Sequence, residues 1–214
     1  LAKRLILKID QSGRPVITIP SYMPYRLAES FAHKHVDWLK KNMPARAALL
    51  TDGARIGKLH TLQFVEDSVT KTTSRVGKNV ITVRHPYGTQ TNVDSVQHEA
   101  QKASISALRR EAEAFIPELL HSLASRFGYS YREVRIKTVQ TRWGSCSSNK
   151  IINMSVWLMQ LPDSLIEYVA CHELAHLNNM NHSPKFWQEV ESMIPDYKLR
   201  RKALKQFSPR LIQT

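Results

Sequence analysis

Two cysteines, Cys146 and Cys171, are all that the 214 residues contain. That is too few for a disulfide scaffold, and a reduced, cytoplasmic setting is the default expectation. No uninterrupted apolar run is long enough to span a bilayer, and no stretch has the charged, apolar and small-residue blocks of a signal peptide, so no membrane partner is expected. Internal repeats and low-complexity tracts are absent as well. Acidic residues are scarce: 18 Asp and Glu face 31 Lys and Arg, for a formal net charge of +13. From Tyr197 onward there is no acid at all, while Lys198, Arg200, Arg201, Lys202, Lys205 and Arg210 crowd together. Such a surplus suits nucleic acid, nucleotides or acidic polypeptides. No nucleic-acid-binding motif accompanies it, and a solvated basic face is the simpler reading.

What the chain does contain is a stretch from His172 to His182 that reads HELAHLNNMNH. Residues four apart share a helix face, so His172 and His176 can turn their imidazoles toward one metal ion. Glu173 lies about 100° round the helix, close enough to reach a water on that metal without ligating it. A zinc hydrolase needs this arrangement: an open coordination position and a carboxylate base. By chance HExxH arises in roughly one 200-residue chain in a hundred, and a third histidine at a fixed offset is roughly fifty times rarer still. Leu165, Ile166, Val169, Ala170 and Leu177 give the same segment an apolar side. Asn178, Asn179 and Asn181 tolerate the left-handed geometry that ends helices, and a chain turning there brings His182 back to the metal. The bland alternative is a core helix with two hydrogen-bonded histidines. Cys171 points away from the His172/His176 face and reads as a small buried residue rather than a fourth ligand.

The rest of the chain predicts an α+β fold: a zincin-like helical catalytic domain with a small sheet, over 93–214, preceded by a small, mostly β module with one helix, over 1–92. Leu5–Ile9 and Val16–Ile19 are β-rich runs with turn residues Asp10 to Gly13 between them, so they predict a hairpin. Tyr25–Asn42 has helical spacing through Leu27, Phe31, His35, Trp38 and Leu39. His33 and His35 have no partner at metal-ligand spacing. Strands are expected at Leu59–Val65, Val69–Ser74 and Val80–Val83, and a polar linker at Pro86–Asn92. A long helix follows over Ser95–Phe115, kinked or restarted at Pro117 and capped by Gly128. Val134–Val139 and Ile151–Leu158 read as strands. Asp163 or Ser164 is the N-cap expected for the HExxH helix, and Pro184 suits the first turn of the next. A strand beside the metal cleft can hold an extended peptide through its backbone. Arg142–Cys146 or Ile151–Leu158 is placed to do so, with Trp143 and Trp157 as cleft or core residues.

With these pieces assembled, the chain resembles the YgjP-like family of metal-dependent hydrolases. The matching segments are Thr141–Cys146 (TRWGSC), Tyr168–Leu177 (YVACHELAHL), Asn181–Trp187 (NHSPKFW) and Pro195–Tyr197 (PDY). More distantly it resembles the SprT and Wss-type zinc proteases. The resemblance implies a zincin-type fold, Zn2+, and peptide-bond hydrolysis, with His172, His176 and His182 as metal ligands and Glu173 as the base. The three-histidine spacing also equals that of the metzincins, with Asn179 standing where those have a helix-ending glycine. Met193 follows His182 too closely for their Met-turn and reads as core. Glu189 or Glu191 is an alternative third ligand. Arg142 and Tyr197 flank the motifs and are candidates for oxyanion stabilisation, or for structural roles.

The leading expectation is a zinc metallopeptidase acting on a polypeptide. Three others remain open at this point: a zinc-dependent hydrolase of a nucleotide or other phosphate ester, a nucleic-acid-associated SprT-like protease, and a non-catalytic zinc-stabilised binding module.

Overall fold

Residues 4–9, 15–42 and 49–211 are described by the computed structural model, and the contacts divide the chain after Leu49. In the first unit, β1 (Ile6–Ile9) and β2 (Pro15–Thr18) pair antiparallel with Ile6 opposite Thr18 and Lys8 opposite Val16. The expected turn at Asp10 to Gly13 lies outside the described residues. The single helix expected over 25–42 is two, α1 (Tyr25–Lys34) and α2 (Val36–Asn42). The cause is His35. Its Nδ1 bonds the Phe31 carbonyl at 2.8 Å, occupying the acceptor that its own backbone N–H would use. That N–H turns instead to Ala32 at 3.0 Å, and the backbone tightens there.

The second unit begins with a four-stranded sheet in the order β3-β4-β6-β5: β3 (Arg55–Ile56), β4 (His60–Asp67), β5 (Thr73–Val76) and β6 (Val80–Pro86). β4 and β6 run parallel, with β5 antiparallel at the edge. β5 starts later than the Val69 expected, and Arg55–Ile56 pairs as a short strand with β4. Leu62, Ile81 and Val83 point to the same side and are fully buried. They pack in one core with α3 (Asp94–Phe127), whose Ala100, Ala103, Ala107 and Ala112 leave room for close approach. α3 runs unbroken through Pro117. The proline removes one backbone donor, but Ile116 and Leu120 on either side are fully buried and hold the helix to the core. Phe115 is exposed, and its neighbour Ile116 faces the core. Gly128 ends the helix at φ 75°, donating to Ala124, as its left-handed geometry requires.

A buried carboxylate on α3 ties these parts to the HExxH helix. Glu111 meets His60 Nδ1 at 2.6 Å and accepts from the backbone N–H groups of Lys58 (2.6 Å) and Leu59 (3.1 Å). The Lys58 ammonium reaches onward to the Leu161 carbonyl and the Asp163 carboxylate, each at 2.6 Å. Asp163 opens α4 (Asp163–Ala175), so the start of that helix is pinned from the β3–β4 turn. Its N-cap is Pro162, with no side-chain cap; the expected caps Asp163 and Ser164 lie within the first turn.

A three-stranded sheet packs against α3 and α4: β7 (Glu133–Lys137), β9 (Ile151–Ser155) and β8 (Gly144–Cys146), in the order β7-β9-β8. β8 is an edge strand, antiparallel to β9. The strand expected to reach Leu158 stops at Ser155, where Val156–Gln160 turns into a 3-10 helix. The Ser155 hydroxyl accepts from the Trp157 N–H at 3.4 Å and Trp157 is 1% exposed, so it is core and lines no cleft. α5 (Pro184–Met193) and α6 (Tyr197–Leu204) complete the chain, with Ser183 capping α5 through the Phe186 N–H at 3.4 Å. Met193 is buried at the end of α5. The whole is a mixed α+β arrangement. Among the described residues no helix is long and apolar enough to cross a membrane.

Candidate metal centre

His172 lies in the last turn of α4 and His176 is its C-cap residue, still helical at φ −66° and ψ −16°. Beyond it the chain turns sharply. The N–H groups of Asn178 and Asn179 both bond the Ala175 carbonyl, at 3.2 and 3.0 Å, and the following residues carry His182 back over the helix end. One ring nitrogen from each of His172, His176 and His182 comes within 4.8 Å of the other two. The Nε2 atoms of His172 and His182 stand 3.1 Å apart, near the roughly 3.3 Å edge of a tetrahedron with metal–nitrogen bonds of about 2.0–2.1 Å. These three form the one candidate metal group among the described residues.

The protonation chemistry fits a cation. His176 Nδ1–H donates to the Asn179 carbonyl at 3.0 Å, which leaves Nε2 with its lone pair. Burial, then the charges of His176, His182 and Arg201, pull the pKa of His172 down to about 3. The pKa of His182 is lowered by burial, His176 and Arg201. Both shifts favour the neutral, ligating form of His172 and His182.

Aromatic rings set the walls. Phe186, fully buried, has its ring centroid 4.9, 4.5 and 4.8 Å from those of His172, His176 and His182. Trp187 stacks on His182 at 5.5 Å and on Tyr197 at 5.4 Å, and the Arg201 guanidinium sits 4.4 Å from its ring centre. Tyr197 is buried and stacked on this ring, a structural position.

Glu173, one residue beyond His172, is 5% exposed and its Oε2 has no hydrogen-bond partner. Burial pushes its pKa up to about 8, and the charge of exposed Arg142 opposes the rise. A bound cation would act in the same sense as Arg142 and favour the carboxylate. β8 passes directly over this side chain: a Cβ added at Gly144 would lie 2.7 Å from Glu173 Oε1. Trp143, just before it, is half-buried.

The glutamates weighed as third ligands are engaged elsewhere. Glu189 accepts from Tyr129 and Asn178, each at 2.6 Å, and from Asn179. Glu191 faces Lys198 at 3.8 Å. Cys171 is fully buried, outside the histidine group. On the β5–β6 hairpin, Arg75, Lys78, Arg84 and neighbours line a basic cleft of about 300 Å³. Gly144, Phe186 and Trp187 shape the centre, yet the sequence signals them only as members of the quoted motifs or as helix-face residues.

An HExxH helix end, a returning histidine and a buried glutamate beneath an edge strand define a metal-dependent hydrolase of the peptidase class. The model of the YgjP-like metallopeptidase domain matches residues 3–207, and the chain belongs to that family. No match is found among curated proteins. Among solved structures, the metallopeptidase zymogen abylysin of Pyrococcus abyssi is similar, with 26% identity, a TM-score of 0.40, and coverage of 44% of this chain and 95% of that one. So is the metallopeptidase zymogen jannalysin of Methanocaldococcus jannaschii, with 19% identity, a TM-score of 0.36, and coverage of 43% and 97%. Within this family a polypeptide is the substrate and a divalent metal the cofactor; the phosphate-ester, SprT-like and non-catalytic readings are not favoured.

Proposed function

We propose that His172, His176 and His182 hold a zinc ion and that Glu173 is the general base of a peptidase whose machinery lies within residues 93–214, with residues 1–92 as an accessory module. The observation that carries this reading is the 3.1 Å approach of the His172 and His182 Nε2 atoms within a three-imidazole cluster, next to a buried carboxylate oxygen with no partner. Zinc, when bound, supplies a Lewis acid that lowers the pKa of a coordinated water toward about 7.

The residues of the chain do the rest. Glu173 takes a proton from the attacking water and returns it to the leaving amide nitrogen. Its burial keeps bulk water away from that transfer. β8, as an edge strand antiparallel to β9, offers unpaired backbone groups to an extended peptide, and Gly144 sets the height at which that peptide would cross Glu173. Arg142 raises the acidity of Glu173 enough to oppose its burial. The imidazole set, with no thiolate or carboxylate among its members, suits zinc among divalent metals. A cytoplasmic setting accords with two free cysteines.

The test is metal analysis of wild type beside His182→Ala, followed by digestion of a peptide library. Stoichiometric zinc and peptide cleavage in wild type, both lost in His182→Ala, are expected. Zinc retained in full by His182→Ala would remove this ligand set.

A further inference from the structure

Glu189 touches no reacting group, yet three polar side chains from two parts of the chain converge on it. The Tyr129 hydroxyl, just past the Gly128 cap of α3, donates to Oε1 at 2.6 Å. The Asn178 amide donates to the same oxygen at 2.6 Å. The Asn179 amide donates to Oε2 in a short hydrogen bond. All three donors are neutral, and among the described residues Glu189 has no ion-pair partner. Burial, then the hydrogen bond and charge of Glu189, hold the Tyr129 phenol protonated well above its usual range, so it stays a donor.

The far end of this network is His176. Asn179 is held at two points, by its backbone N–H on the Ala175 carbonyl at 3.0 Å and by its side-chain amide on Glu189. Its own carbonyl accepts from His176 Nδ1 at 3.0 Å. A free imidazole prefers its proton on Nε2; a fixed carbonyl opposite Nδ1 reverses that preference and clears Nε2 for a metal. Without the anchor, Asn179 sits at a frayed helix end, where a carbonyl has no fixed direction.

We infer that Glu189 is a positioning residue: by clamping Asn179 it fixes the Nδ1–H tautomer of His176 and pre-organises the metal site from the α5 side. The choice of carboxylate follows. It offers acceptors on both oxygens to donors arriving from two sides. An amide there would set its NH2 against the NH2 of an asparagine, donor against donor. The metal-affinity half of this inference rests on the ligand reading above; the tautomer half does not.

The experiment therefore has two readouts on wild type, Glu189→Gln and Asn179→Ala. Long-range proton–nitrogen NMR on metal-free, histidine-labelled protein reads the His176 tautomer, and chelator competition reads zinc affinity. Tyr129→Phe, which removes one donor and leaves the Asn179 bond, is the control. Wild type is expected to show the Nδ1–H form. Glu189→Gln and Asn179→Ala are expected to shift it toward Nε2–H and to weaken zinc binding about ten- to a hundredfold, the range typical of groups behind a ligand, while Tyr129→Phe changes both far less. An unchanged tautomer in Asn179→Ala or Glu189→Gln overturns the inference, and so does a loss in Tyr129→Phe as large as theirs. If Glu189→Gln does not fold, Asn179→Ala decides alone, since it keeps the carbonyl and removes only the clamp. A wild type that binds no zinc defeats the ligand reading, and the tautomer comparison still judges Glu189.

Discussion

Gly144 and Glu173 occupy one space: an added Cβ on the glycine would stand 2.7 Å from Oε1 and 2.8 Å from Cγ of the glutamate. Glu173 is 5% exposed and has nowhere to retreat. Gly144→Ala must therefore displace either the carboxylate or the edge strand. The expected outcome is a fall in kcat of at least about tenfold, as for a misplaced catalytic group, with zinc content unchanged. Wild-type turnover in Gly144→Ala would show that the carboxylate has room to spare.

Replacing the carboxylate itself separates binding from chemistry. Glu173→Gln keeps the shape and removes the base. Peptide hydrolysis is expected to drop by about 10²–10⁴, the usual weight of a general base, while zinc stays bound. Full activity in this variant would sink the mechanism; loss of zinc would instead point to Glu173 as a ligand.

The metal-free protein should respond to pH in two opposite ways. The carboxyl of Glu173 goes from 4.5 to about 8 on folding. Between those values the folded state binds the extra proton, so this group's stabilisation is whole below 4.5 and is lost as pH rises through about 8. His172 goes the other way, from 6.5 to about 3. There the unfolded chain binds the extra proton, so the stabilisation is whole above 6.5 and is lost as pH falls toward 3. Melting curves of chelated protein check both. Glu173→Gln is expected to lose less Tm than wild type between about pH 6 and 9, and His172→Asn to lose less as the pH is lowered from 6.5 toward about 4. Parallel curves for wild type and Glu173→Gln would mean that the carboxyl is solvated when the metal is absent.

Helix α5 brings Phe186 and Trp187 to the histidines and starts at Ser183, whose hydroxyl accepts from the Phe186 N–H at 3.4 Å. Ser183→Ala should destabilise the protein by about 0.5–1 kcal/mol, the low end for an N-cap given so long a bond. Denaturant titration measures it, and a loss above about 3 kcal/mol would be too large for a cap alone.

How much of this was legible in advance varies with the range of the interaction. The Gly128 cap and the start of α5 at Pro184 follow from one or two residues and their dihedral preferences, and both stand where the sequence predicts. The break at His35 is not predicted, because the side chain competes with its own backbone for the Phe31 carbonyl, and periodicity is blind to that. Pro117 does not break α3, because the burial of Ile116 and Leu120 outweighs one missing hydrogen bond. Trp157 looked the same as a cleft residue and as a core residue until the chain bent after Ser155.

His172, Glu173 and His176 owe their relationship to helix geometry alone, and so the sequence by itself determined that two imidazoles share a helix face with a carboxylate next to them. The asparagines after His176 determined that the helix stops there. Which later acid or imidazole joins the pair was a tertiary matter: His182 comes within 3.1 Å of His172, while Glu189 is drawn away by Tyr129, Asn178 and Asn179. The covering of Glu173 by Gly144 and the ring contacts of Phe186 likewise join residues distant along the chain. Helical spacing is a property of neighbours and repeats every 3.6 residues. The closing of a site depends on which surfaces the core brings together, and no local pattern encodes that distance.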